Sequence, residues 1–168
     1  DARATEVFFG AVGTDVDSVA ISDDGALVAS GHRDGIVRLW NGADGKPVGG
    51  LPGHRGRVRA LQFVPKSHDL LTGADNGVVR RWNTESRSVE RFYFGLAGSV
   101  SEIACTRVGP PRFLALAQWE TRLWTLDAPE GVVTLDHDGK SVYGAAFSTS
   151  GSVIWTAARE RALRAWDP

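Results

Sequence analysis

Four histidines and one cysteine are the side chains here with the broadest chemical reach: His32, His54, His68, His137 and Cys105. A metal centre draws its ligands from closely spaced pairs of such residues, and no spacing of that kind relates the four histidines. Cys105 has no second cysteine to oxidise with, and it falls at an apolar strand position, which suits a buried core thiol better than a nucleophile. There is no glycine-rich phosphate loop, nucleophile elbow or paired-carboxylate signature. His54, in the dipeptide "GH" just before a strand, resembles a ligand or base only until its neighbours are considered. The expectation is a chain without catalytic, cofactor or metal sites.

The elements that must position these residues are marked by tryptophan. Trp40, Trp82, Trp124 and Trp166 stand at equal intervals of 42 residues. Two residues before each is an arginine (Arg38, Arg80, Arg122, Arg164), and well upstream of each is a valine (Val16, Val58, Val100, Val142). Ser30, Thr72, Leu114 and Thr156 share one position of the repeat, and Asp34, Asn76, Gln118 and Glu160 share another. The spacing holds without any insertion or deletion. A period of this length marks a solenoid or a propeller.

Inside each unit the apolar residues alternate, as in strands, between turn sequences such as "SDDG", "RDG", "DNG" and "NGADG". The pattern predicts an antiparallel four-stranded meander per unit. Strands are expected near 16–21, 26–31, 36–41 and 47–50; near 58–63, 69–73, 78–83 and 88–93; near 100–105, 112–117, 121–125 and 131–135; and near 142–147, 152–157 and 162–166. The stretch "TAARERALRAW" has helical propensity, but its matches in the other units flank Asp-Gly turns, so it is assigned to strands.

"LVASGHRDGIVRLWN" at 27–41, "GH" at 53–54, "LLTGADNGVVRRWN" at 70–83 and "AFSTSG" with "LRAWD" at 146–167 carry a resemblance to WD-repeat β-propellers. The resemblance implies an all-β fold of four blades over residues 1–168, with repeat cores near 16–50, 58–93, 100–135 and 142–167. It also implies a hydrogen-bonded set in each blade: His54, Thr72, Trp82 and Asp75 or Asn76 in the second, Ser30, Asp34 and Trp40 in the first, where no histidine stands near Val12, and Thr156, Glu160 and Trp166 in the fourth, with His137 one residue off the spacing. The third has Leu114 for the hydroxyl residue and Trp119 for a turn glycine, so its network should be lost. The repeat regularity and the arginine excess, 16 against 3 lysines, are similar to bacterial members.

The fourth unit stops after its third strand, whereas "TEVFFG" at 5–10 is a strand with no unit of its own. It would complete the last blade of a ring. Three closures follow: two chains in an eight-bladed ring exchanging that strand, half of a longer propeller (Asp1 is not an initiator methionine), or a tight four-bladed ring.

Family members are mostly binding platforms. The chain is therefore expected to be a non-catalytic scaffold or sensory module holding a protein or peptide on the face made by the turns between the second and third strands and the segments leading into each first strand. Arg33, Arg55, Arg57, Trp119 and Arg159 are the candidate contacts; packing over the weak third blade is the other reading of Trp119. Pure self-assembly as a homodimer, and an enzyme with a channel site, are the alternatives. A net charge of -1 supplies no field for nucleic acid or an anionic membrane. No apolar run reaches the ~18 residues of a membrane span. A lone cysteine is read as a reducing, cytoplasmic setting.

Overall fold

The computed structural model describes residues 13–159 and 162–168, which form fifteen strands and no helix. The first sheet contains β1 (Val16–Ile21), β2 (Leu27–His32), β3 (Val37–Asn41) and β4 (Pro47–Leu51). The second contains β5 (Val58–Phe63), β6 (Leu70–Ala74), β7 (Val79–Asn83) and β8 (Ser88–Tyr93). The third contains β9 (Glu102–Cys105), β10 (Arg112–Ala117), β11 (Glu120–Thr125) and β12 (Ala128–Leu135). The fourth contains β13 (Val142–Phe147), β14 (Ile154–Ala158) and β15 (Leu163–Trp166). Every sheet is antiparallel in chain order, and the helix-prone stretch at 156–166 supplies β14 and β15. The expected strand at 5–10 lies outside the described residues.

The sheets pack face to face in sequence, because each strand buries alternate side chains and a two-faced sheet needs a neighbour on both sides. Ala29, Val37, Leu39 and Leu51 of the first sheet meet Leu61, Phe63 and Leu70 of the second. Leu71, Val79 and Tyr93 meet Ile103, Phe113 and Trp124. Leu114, Leu116 and Leu123 meet Val142, Ala145 and Ile154. The outward faces of the end sheets remain open. Val19 and Ile21 in β1 are 69% and 61% exposed, and Tyr143 and Leu163 in the fourth sheet are each 69% exposed. In the second sheet the residues matching Val19 and Ile21 are Leu61 and Phe63, both buried against the sheet before. Among the described residues the faces of the first and fourth sheets thus stay exposed, whereas a tight four-bladed ring would bury them against each other.

The third sheet departs from the 42-residue spacing. In the second sheet Leu70 faces Trp82 and Thr72 faces Arg80. In the third, Phe113 faces Trp124 and Ala115 faces Arg122, so β10 has slipped one residue along both neighbours. The connection between the paired residues Cys105 and Phe113 (106–112) is one residue longer than that between Phe63 and Leu70 (64–69), and the turn after β10 is one shorter. The compensating changes preserve the unit length and hide the slip, which corrects the expectation of a repeat free of insertions and deletions. The physical reason is charge. Without the slip Arg112 would take the fully buried place of Leu70 beside the tryptophan; with it, Phe113 does. A one-residue shift moves every side chain to the opposite face, and Ala115, not Leu114, holds the hydroxyl position.

Candidate functional site

Three of the four tryptophans end a buried polar chain. Trp82 Nε1 donates to Thr72 Oγ1 (2.9 Å), and the same oxygen lies 2.6 Å from His54 Nε2. Trp166 Nε1 donates to Thr156 Oγ1 (2.8 Å), which is 2.9 Å from His137 Nε2. One hydroxyl has two lone pairs and one proton, so it satisfies both ring nitrogens at once. His137 reaches Thr156 despite its offset because Asp138, at φ 53°, folds the chain back over Asp136.

The first sheet makes the same chain from another source. Trp40 Nε1 donates to Ser30 Oγ (2.8 Å), and the imidazole beside that oxygen is His32, 2.8 Å away. His32 lies two residues after Ser30 in β2, so alternation puts both on one face. It is fully buried. This corrects the expectation of a first blade lacking a histidine. The signal was present in "SGH": a histidine at i+2 from the hydroxyl residue can substitute for one arriving from the preceding loop.

Burial, then Arg80, lowers the His54 pKa to about 4, and burial followed by Arg38 also lowers that of His32. Burial thus disfavours the charged form of both imidazoles, which act as struts inside their blades. Nδ1 of each has no partner among the described residues. The turn carboxylates do not join these chains. Asp34 caps the Ile36 amide (3.0 Å) and pairs with Arg38 (2.8 Å). Asp75 pairs with Arg59 and accepts from Ser99 Oγ (2.8 Å), and the Arg59 contact comes first in holding its carboxyl below the ordinary range. Asn76 is exposed. Glu160 lies outside the described residues.

In the third sheet the polar chain is replaced by rings. Trp124 stacks on Phe113 (centroids 5.2 Å apart), whose edge is met by Tyr93 at 4.8 Å. Leu96 stands where His54 stands, and both are buried. Burial pushes the Cys105 thiol up to about 12, which leaves it protonated and unreactive near neutral pH. Glu102 accepts from the Ala145 amide (3.3 Å) and Asp138 pairs with Arg164 (2.7 Å). Among the described residues no three His, Cys, Asp or Glu side chains converge on a metal-sized site.

The turn residues form one continuous edge. Backbone hydrogen bonds tie the turns of the first, second and fourth blades to the segment before their own first strand: Arg33 N to Asp15 O (3.1 Å), Asp75 N to Arg57 O (3.1 Å) and Arg159 N to Ser141 O (2.9 Å). They also tie turns to the next sheet, as in Val100 N to Ala74 O and Val142 N to Gln118 O (both 3.1 Å). Arg33 pairs with Asp15 (3.1 Å), Arg55 and Arg159 are exposed, and Arg57 is half-buried. Arg59 is consumed by Asp75, so 55–59 is not an open basic patch.

Gly77 adopts φ 72° with carbonyls of the next loop where a Cβ would sit. The slipped β10 removes that turn: Ala117 pairs with Glu120 across only Gln118 and Trp119. A tryptophan is therefore permitted, and it is 55% exposed.

The description "WD domain, G-beta repeat" matches residues 5–41 and 45–83. The chain is 30% identical over 156 residues to actin-interacting protein 1 of Drosophila melanogaster, covering 90% of this chain and 26% of that protein. It is 24% identical over 159 residues to SIR4-interacting protein SIF2 of Saccharomyces cerevisiae (94% and 29%), and 39% identical over 74 residues to small ribosomal subunit protein RACK1z of Arabidopsis thaliana (44% and 22%). The chain spans less than a third of the length of each of these relatives. With the tryptophan spacing, the hydroxyl-linked histidines and the four antiparallel sheets, these matches show that the chain carries WD repeats, and its sheets have the make-up of WD-repeat propeller blades.

Proposed function

We propose that this chain is a non-catalytic interaction module that holds a protein or peptide on the edge formed by its turns. One observation carries the reading: Trp119 is more than half exposed at a turn that has no backbone need for it, on the same edge as Arg33, Arg55, Arg57 and Arg159. Exposed tryptophan and arginine are the side chains that most often dominate binding energy. The buried histidines support the reading from the other side, because they brace blades instead of facing solvent. Two relatives are named for a protein they interact with, actin in one case and SIR4 in the other, which favours a protein ligand for this module too. A reducing, cytoplasmic setting suits the lone, protonated Cys105.

Peptides selected from a random display library against the folded chain test the proposal. Selected peptides should lose affinity for Trp119→Ala and Arg33→Ala variants whose melting is unchanged. Peptides indifferent to both, and sensitive instead to Lys66→Ala at the opposite loops, would sink it.

A second reading, self-assembly into a ring, rests on the open end faces. The Val19 and Ile21 face is of the kind that the inner junctions bury against a preceding blade, and the Leu163 face matches Val37 and Val79, which are buried against a following one. The two ends are complementary head to tail, as two-fold closure by a second copy requires. A solution mass twice that of the chain, falling to a monomer for Ile21→Glu, is the expected result. A monomer at all concentrations would remove this reading.

A further inference from the structure

Each blade carries an arginine two residues before its tryptophan, and three of the four pair it with a carboxylate of the chain. Arg38 donates to Asp34 (2.8 Å), Arg122 to Glu120 (2.5 Å) and Arg164 to Asp138 (2.7 Å). Arg80 differs. Asn76 stands in the place of Asp34, and among the described residues no carboxylate pairs with Arg80; burial alone acts on its charge. Its Nη2 donates to the Gly53 carbonyl (2.5 Å), and its Nε has no partner.

The guanidinium carbon lies 5.8 Å from the ring centroid of Trp82 and 5.2 Å from that of Phe92. Phe92 is the cross-strand neighbour of Arg80 on β8, the outer strand of the second sheet. Phe94 stacks on Phe92 at 5.8 Å with an interplanar angle of 11°, and both rings are exposed. Nothing in the backbone asks for exposed phenyl rings beside an edge strand, where such groups invite pairing with another chain. A cation held over aromatic faces with no counter-charge, next to free backbone and apolar rings, has the chemistry of half an interface.

We propose that Arg80, Phe92 and Phe94 dock an acidic, extended peptide segment of a partner protein on the outer rim of the second blade. A carboxylate of the segment takes the place beside Arg80 that Asp34 takes beside Arg38. Its aliphatic neighbours cover Phe92 and Phe94, and its backbone lies along β8. Charge complementarity selects an acidic segment over a neutral or basic one. The site is separate from Trp119, so it stands or falls independently of the turn-edge reading.

The test is fluorescence anisotropy with a short fluorescein-labelled peptide alternating leucine and glutamate, compared with the leucine–glutamine peptide. Saturable binding is expected, about tenfold weaker for the glutamine peptide. Asn76→Asp copies the first blade's own turn residue, supplies Arg80 with an internal carboxylate and should weaken binding by about tenfold without changing the melting curve. Phe94→Ser, at an exposed ring, should do the same. Equal binding of the two peptides, no saturation, or Asn76→Asp indistinguishable from the parent overturns the proposal. So does a loss confined to Trp119→Ala, which would put the peptide on the turn edge.

Discussion

The second and third blades have the same length and the same tryptophan, yet they fill the space around it by opposite means. In the second, Trp82 is anchored by a hydroxyl and an imidazole, His54 and Thr72, both buried. In the third, Leu96 and Ala115 occupy those places, and Trp124 is clamped between apolar neighbours with Phe113 stacked on it. A buried indole needs contact over its faces in either case. The polar chain adds direction to that contact, at the risk of orphaned groups if one member is lost. The aromatic stack tolerates change more readily, and the slip of β10 is what made it available.

The largest expected effect tests how much the stack carries. Trp124→Ala removes a fully buried ring and should cost about 3–5 kcal/mol in urea denaturation. A loss below about 1 kcal/mol would mean that the third blade contributes little to the cooperative unit.

The next separates the two blades by pH. His54 binds a proton in the unfolded chain near its ordinary 6.5 but in the folded chain only near 4. Its contribution is fully present above 6.5 and is lost as pH falls toward 4, where the unfolded state holds the extra proton, by roughly 2–3 kcal/mol. The double variant His54→Leu with Thr72→Ala gives the second blade the side chains of the third. It should flatten the stability–pH curve over that window, leaving the share from His32. An unchanged slope would show that another group controls it.

Smaller again, Thr72→Val keeps the shape and removes the shared hydroxyl, orphaning Trp82 Nε1 and His54 Nε2, for about 1–3 kcal/mol. A neutral result would place these two blades on the same apolar footing. Trp119→Ser should be the smallest, within about 0.5 kcal/mol in thermal melting, as for exposed surface sites. A larger loss would restore Trp119 to the packing of the third blade.

Some of this was legible in one dimension, and some was not. Strand identity followed from alternation and turn residues, because both are local: β1, β5, β8, β10 and β13 lie where the pattern put them, and other ends differ by a few residues. The tryptophan period exposed the duplication, and the hydroxyl residues Ser30, Thr72 and Thr156 were visible at a fixed distance from it. The slip of β10 was not visible, because a longer loop and a shorter turn cancel in any count of residues; only the burial cost of Arg112 beside Trp124 selects it. Nor was the substitution of His32 for a missing loop histidine, since a position in space can be reached from two directions along the chain. Whether Trp119 packs or projects, and which arginine lacks a carboxylate, depended on neighbours brought close by folding. Sequence spacing determined what each blade is made of. Packing between blades decided which atoms meet, because contact energies depend on distances across the sheets, not along the chain.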